Sequence, residues 1–110
     1  MAEEQIQDDL HDRGRGVLLA SAVGDALGAT VEFMSPGEIR SRFGVHRDII
    51  GGGWLRLVVG EVTDDTQMAL CIAHSIDEQQ RFDAGDIAER FVAWFESNPP
   101  DIGNTTRRSL

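Results

Sequence analysis

The chain is short of the features that bind nucleic acid or form disulfide scaffolds. Among its 110 residues Cys71 is the only cysteine, so no internal disulfide can form. Basic residues number 10 against 19 acidic ones, and the formal charge is −9. Because phosphate backbones are bound by clustered basic side chains, we expect no nucleic-acid partner.

Long apolar runs and targeting segments are also missing. The longest apolar run, residues 17–23, is interrupted by Ser21 and is far too short to cross a bilayer. Residues 1–12 are acidic and polar, unlike a secretory signal or a transit peptide, and we expect them to form a flexible lead-in. The sequence therefore predicts a protein without a membrane span and with a cytoplasmic location.

Apolar residues recur with helical spacing, and no segment alternates with the period of two that a half-buried strand requires. Long helices are predicted over residues 10–28, 64–78 and 85–97. A shorter helix begins at Ser35-Pro36-Gly37-Glu38, a capping signal, and ends near Gly44. A last short helix is predicted near residue 105, with Thr105 or Asn104 as its cap. The glycine-rich stretch 45–62 is predicted to be a loop, so the fold class is all-α, a bundle of helices.

Three patterns predict how these helices pack. Residues 17–20 are apolar nearly all round, which predicts burial on most faces. Small residues recur at every fourth position, so another backbone could approach closely: Ala20, Gly24 and Gly28. One stripe is predicted to form the core face of the helix 64–78: Met68, Ile72 and Ile76. Asp25 lies beside the glycines and needs a partner, so it is either hydrogen-bonded to a neighbouring element or close to a site.

The segment Thr63-Asp64-Asp65-Thr66 has the composition of a cation site. Two adjacent carboxylates repel each other, and a bound cation removes that repulsion. Mg²⁺ and Mn²⁺ prefer such oxygen ligands. The alternative is helix capping by Thr63 or Asp64, with Gln67 closing a capping box. These residues alone leave both interpretations open.

Four motifs in one order resemble a known family. They are Val23-Gly24-Asp25-Ala26-Leu27-Gly28-Ala29-Thr30-Val31-Glu32-Phe33, Gly51-Gly52-Gly53-Trp54, Gly60-Glu61-Val62-Thr63-Asp64-Asp65-Thr66-Gln67-Met68 and Asp101-Ile102-Gly103-Asn104-Thr105. Together they resemble the N-terminal part of the ADP-ribosylglycohydrolase family, in particular the bacterial dinitrogenase reductase-activating glycohydrolases. The resemblance covers residues 13–110, which it identifies as the N-terminal portion of such a domain.

The resemblance implies an all-α hydrolase with two Mg²⁺ or Mn²⁺ ions. Its members cleave the N-glycosidic bond of ADP-ribosyl-arginine on a protein, or act on small ADP-ribose compounds. The implied metal ligands are Thr63, Asp64, Asp65 and Glu32. The implied catalytic groups are Glu32, which would orient or deprotonate water, and Asp101, which would hold the departing guanidinium. The implied substrate contacts are Asn104, Gly52 and Gly53.

The resemblance also implies a second acidic segment of Asp-x-Asp-Thr type, which this sequence does not contain after Thr66. We therefore expect an incomplete chain with little activity alone, unless a second chain supplies the C-terminal half. The alternative is a non-catalytic acidic helical module that binds a divalent cation, ADP-ribose or a partner chain.

Overall fold

The computed structural model describes all 110 residues, which form five helices and no sheet. The helices are α1 (Ala2–Ala29), α2 (Pro36–Phe43), α3 (Asp64–Gln79), α4 (Ala84–Glu96) and α5 (Asn104–Ser109). One isolated antiparallel bridge, between Gly52 and Leu57, is the only strand-like pairing. The predicted all-α class is confirmed. None of the helices combines the length and apolar composition that a bilayer crossing needs, and the cytoplasmic location stays a prediction.

Local capping chemistry explains where three of the helices begin. The Ser35 hydroxyl accepts a hydrogen bond from the Glu38 backbone N–H, and the Glu38 carboxylate accepts one from the Ser35 N–H, which completes the predicted capping box. The Asp83 carboxylate accepts from the Asp86 N–H at 3.1 Å and caps α4. Thr63 caps α3. Each cap satisfies backbone donors that the first turn of a helix leaves free.

Two helix starts differ from the predictions. Helix α1 begins at Ala2 rather than near Leu10, because the residues before Leu10 include the strong helix formers Ala, Glu and Gln. The side chains of residues 1–12 are all exposed, and their flexibility stays a prediction. Helix α5 is preceded by Gly103, and neither Asn104 nor Thr105 provides a side-chain cap.

Helices α3 and α4 pack through a mostly polar stripe of α3. Its members recur at every fourth residue: Gln67, Cys71, Ser75 and Gln79. Gln67 Oε1 accepts a hydrogen bond from Trp94 Nε1 at 2.8 Å, and Gln79 Nε2 donates to Asp86 Oδ1 at 3.3 Å. Ser75 is fully buried, and burial raises the pKa of the Cys71 thiol. Cys71 is therefore a packed, protonated thiol at neutral pH.

The predicted core face of α3 is wrong. Ile72 and Ile76 are 38% and 45% exposed, and Met68 is only half-buried. The true contact face lies one residue earlier in each turn, because α4 docks through long side chains with polar ends. Hydrophobic spacing selects the apolar stripe of a helix, so it does not predict packing through a polar stripe beside it.

The apolar run of α1 is not covered by any other part of the described chain. Val17 and Leu19 are 69% and 66% exposed, so the predicted burial on most faces is wrong. Only 10 of 110 residues are buried. The radius of gyration is 17.1 Å, against about 13 Å for a compact domain of about 100 residues. The helices form an open arrangement in which α3 contacts both α1 and α4.

The triple-glycine segment packs against the end of α1. Gly51, Gly52 and Gly53 all have positive φ, at 67°, 75° and 72°. A Cβ on Gly53 would lie 2.6 Å from the Ala29 carbonyl oxygen, whereas one on Gly52 would meet nothing within 4 Å. Gly53 is therefore needed for both its dihedrals and its close approach, and Gly52 for its dihedrals alone.

Substitution of these two glycines should separate the two effects. We expect Gly52→Ala to lower the free energy of unfolding by about 1 kcal/mol, from backbone strain, and Gly53→Ala to lower it by about 2 kcal/mol, because the clash adds to the strain. Urea unfolding of the two variants measures the difference. Equal losses would show that the contact with Ala29 does not constrain the loop.

Candidate active site

A cavity of about 800 Å³ lies between the C-terminal half of α1 and the N-terminus of α3. The turn after α1, Trp54 and the segment before α5 complete its wall. Six of the residues that the sequence predicted as site residues line it: Glu32, Thr63, Asp64, Asp65, Asp101 and Asn104. Chain segments that are far apart in the sequence thus meet around one space.

The other two predicted site residues, Gly52 and Gly53, lie outside this wall. Gly53 packs on α1, as described above, and its neighbour Trp54 reaches the cavity instead. Gly24 and Gly28 do line the cavity, and a Cβ on either would meet nothing within 4 Å. The predicted close approach of another backbone to these two glycines is therefore wrong, and they form an open floor.

Asp25 fixes the N-terminus of α3 from across the fold. Its carboxylate accepts four hydrogen bonds, from the backbone N–H and the hydroxyl of Thr63 at 2.9 and 2.7 Å, and from those of Thr66 at 3.3 and 2.6 Å. Both threonines are buried. Of the two alternatives left open for Asp25, the hydrogen-bonded partner is confirmed; Asp25 also lines the cavity, and its place beside a functional site stays a prediction.

The Asp25 carboxyl is held in its charged form. Burial raises its pKa, but the hydrogen bonds from Thr66 and Thr63 together outweigh burial, and the pKa lies below its ordinary value. A carboxylate beside the first turn of α3 also interacts favourably with the helix dipole. Asp25 is therefore an anionic anchor for the segment that carries Asp64 and Asp65.

Thr63 and Asp64 also have defined partners. The Thr63 hydroxyl accepts from the Asp65 N–H at 3.4 Å, which is the predicted capping role. The predicted capping box from Asp64 is wrong, because the Gln67 amide bonds to Trp94 instead. Asp64 Oδ2 accepts from the Gly103 N–H at 3.1 Å, which joins the start of α3 to the segment before α5.

The wall of the cavity carries an excess of negative charge. Burial raises the pKa of Asp65, and the neighbouring charges of Asp64, Asp25 and Asp101 raise it further. With Glu32, five carboxylates line the space, and no lysine, arginine or histidine does. Such a cavity favours a cation or a cationic group of a ligand.

The oxygen atoms of the cavity wall are chemically suited to bind a hard divalent cation, but their positions do not form a metal site. Carboxylate and hydroxyl oxygens are the ligands that Mg²⁺ and Mn²⁺ prefer. No three acidic, histidine or cysteine side chains lie close enough together to hold a metal ion. The Thr63 hydroxyl already contacts Asp25 and Asp65. The ligand set predicted from the sequence stays a prediction, and it requires these side chains to move towards one another.

The rim of the cavity is aromatic, which sequence reasoning missed. Glu32 Oε2 accepts a hydrogen bond from Trp54 Nε1 at 2.8 Å. Phe33 meets the Trp54 ring edge to face, with centroids 5.4 Å apart and an interplanar angle of 64°. An aromatic residue directly after a glycine run, with a second one beside a site carboxylate, is the signal that could have indicated them.

Asp101 and Asn104 belong to a short segment held by one buried side chain. Asp101 Oδ1 accepts from the Ile102 N–H at 2.8 Å, and Ile102 is 6% exposed. Asn104 is the first residue of α5. The burial of Ile102 fixes the segment, so that Asp101 and Asn104 flank the cavity on the side of Asp64.

Comparisons with known proteins agree on one family. The ADP-ribosylglycohydrolase family model matches residues 6–110. The chain is 52% identical over 101 residues to ADP-ribosyl-[dinitrogen reductase] glycohydrolase of Rhodospirillum rubrum, covering 92% of this chain and 34% of that protein. It is 43% identical over 106 residues to ADP-ribosylarginine hydrolase Tri1 of Pseudomonas putida, covering 90% of this chain and 27% of that protein. The chain thus spans about a third or less of the length of these relatives.

Proposed function

The chain belongs to the ADP-ribosylglycohydrolase family, and we propose that its cavity serves the hydrolysis of the N-glycosidic bond between ADP-ribose and an arginine side chain. Two relatives carry names that describe reactions of this kind. The observation that carries the proposal is the cavity lined by five carboxylates and no basic side chain. This environment suits a cationic guanidinium and the activation of a water molecule.

We assign separate roles to three polar residues of the wall. Glu32 accepts a proton from the attacking water, or orients it, because one of its oxygens accepts no hydrogen bond from the chain. Asp101 receives the departing guanidinium, whose planar donors match a carboxylate. Asn104 contacts the sugar, since its amide can both donate and accept.

We further propose that the reaction depends on Mg²⁺ or Mn²⁺, two ions in the complete site. Asp64, Asp65 and Glu32 would hold them, together with Thr63. When bound, such ions supply positive charge and lower the pKa of a coordinated water. Burial raises the pKa of Asp65, and the neighbouring negative charges raise it further. A cation would remove that repulsion, which supports this part of the proposal.

We propose that the chain alone hydrolyses its substrate slowly. It spans 34% of the length of the Rhodospirillum rubrum relative, and no three acidic side chains converge as a metal site requires. A second chain that supplies the remaining part of the site would then raise the rate. The polypeptide corresponding to the remainder of the Rhodospirillum rubrum relative is a suitable partner for this test.

The proposal is tested by single-turnover hydrolysis with the chain in excess over an ADP-ribosylated arginine peptide. Mass spectrometry follows free ADP-ribose and the restored arginine with Mn²⁺ present, and in parallel with a chelator. We expect slow release that the chelator abolishes and the partner polypeptide accelerates. No release under any of these conditions, with or without the partner, would contradict the proposed reaction.

A second candidate is a non-catalytic module that binds a divalent cation or ADP-ribose. Because no three acidic side chains converge as a metal site requires, the arrangement favours binding of ADP-ribose without metal-assisted hydrolysis. This candidate predicts that titration calorimetry detects binding of ADP-ribose or Mn²⁺ while the hydrolysis assay detects no release. The two candidates therefore differ in one measurable outcome, the appearance of free ADP-ribose.

A further inference from the structure

Trp54 is the only partner that the chain provides for the Glu32 carboxylate. Its Nε1 donates to Glu32 Oε2 at 2.8 Å, and Glu32 Oε1 accepts no hydrogen bond from the chain. Glu32 lies exposed on the turn after α1, where a long side chain would otherwise sample several rotamers. Because an indole nitrogen only donates, the contact fixes one carboxylate oxygen and leaves the other free.

The loop that carries Trp54 is fixed to the end of α1, just before Glu32. Thr30 Oγ1 donates to the Gly51 carbonyl at 2.8 Å. Gly52 and Leu57 exchange both of their backbone hydrogen bonds, at 2.8 and 3.0 Å, and close the loop into a tight turn. The loop and the turn that carries Glu32 therefore form one unit, which holds the backbone positions of Trp54 and Glu32 beside each other.

Two observations indicate that the contact serves more than folding. Trp54 is 50% exposed, so water could satisfy its N–H without Glu32. Phe33, which packs against Trp54, has a φ of 64° although its side chain is 81% exposed. A non-glycine residue in this conformation is strained, and burial does not compensate the strain here. Such strain concentrates at functional sites.

We propose that Trp54 is a positioning residue that holds the Glu32 carboxylate at the cavity wall for hydrolysis. The inference rests on the proposed function for its purpose, and on the contacts of Trp54, Phe33 and the glycine loop for its geometry. Trp54 does not act on the substrate itself. It limits the carboxylate to one orientation, which is the condition for efficient proton transfer to a positioned base.

Nuclear magnetic resonance of the two indole N–H groups tests the contact without turnover. In Glu32→Ala we expect the Trp54 indole N–H signal to shift and its proton to exchange faster with water. In Glu32→Gln, which keeps an acceptor oxygen, we expect the signal to stay near its original position. Trp94 donates to Gln67 Oε1 at 2.8 Å, so its indole signal is an internal reference that should not move. If Glu32→Ala changes neither the chemical shift of the Trp54 indole N–H nor its exchange rate with water, the proposal is overturned.

The kinetic test uses Trp54→Phe, which keeps an aromatic ring against Phe33 but removes the N–H donor. We expect kcat to fall about tenfold to a hundredfold with KM unchanged, because the base loses its orientation. Trp94→Phe is the matched control and should leave both constants unchanged. Unchanged kcat in Trp54→Phe, or a change in KM alone, would overturn the proposal. If the chain releases no ADP-ribose but its Trp54 indole signal shifts in Glu32→Ala, the proposed function is contradicted. The contact between Trp54 and Glu32 is then still supported.

Discussion

Replacement of Asp25 by alanine is expected to lower the free energy of unfolding by about 3 kcal/mol. The Asp25 carboxylate accepts four hydrogen bonds from Thr63 and Thr66, and both threonines are buried. Without it, two hydroxyls and two backbone N–H groups at the start of α3 lose their acceptor. Urea unfolding measures the loss, and hydrogen exchange should show opening at the first turn of α3.

Asp12→Ala is the matched control for this substitution on the same helix. Asp12 makes one ion pair, with Arg15, and both side chains are largely exposed. We therefore expect a loss of about 0.5 kcal/mol or less. A loss for Asp25→Ala as small as that for Asp12→Ala would show that Asp25 does not anchor α3.

Replacement of Glu32 by glutamine is expected to lower the single-turnover rate of ADP-ribose release about a hundredfold or more. Glutamine keeps an acceptor for Trp54 but cannot take a proton from water. Glu32 is exposed, so the thermal stability of the variant should stay close to that of the parent chain. The same peptide assay measures the rate, and circular dichroism measures the stability.

Glu61→Gln provides the control for charge removal. The Glu61 carboxylate accepts a hydrogen bond from the Val58 N–H at 2.8 Å, and Glu61 does not line the cavity. This variant carries the same change in net charge as Glu32→Gln and should release ADP-ribose at the parent rate. Equal rates for Glu32→Gln and the parent chain would remove Glu32 from the proposed mechanism.

The N-termini of helices with side-chain caps were predictable, because the residues that form a cap are close together in the sequence. Ser35 and Glu38 lie three residues apart, and Asp83 caps α4 by the same short-range logic. The packing of α3 was not predictable in this way. Its contact stripe includes the hydrogen bonds of Gln67 to Trp94 and of Gln79 to Asp86, which join residues of two different helices.

In the candidate site, too, the sequence predicted the local pattern and not the contacts between distant segments. The Thr63-Asp64-Asp65 segment was visible as a pattern, and the structure brings it beside Asp101 through the hydrogen bond between Asp64 and Gly103. No spacing rule predicts that contact, because it depends on how the segment before α5 packs against the start of α3. The sequence showed Asp25 only as a carboxylate that needs a partner, and it did not predict that Asp25 anchors the start of α3.

The cavity between α1 and the start of α3 is the proposed binding site of the ADP-ribosylated ligand, and every role assigned above requires it. Titration of the ¹⁵N-labelled chain with ADP-ribosyl-arginine in the presence of Mg²⁺ tests this claim directly. We predict that the largest amide shifts occur at Gly24, Gly28, Asp65 and Gly103, which line the cavity. Shifts confined to the separate groove between Ala73 and Phe82, or no shifts at all, would contradict it.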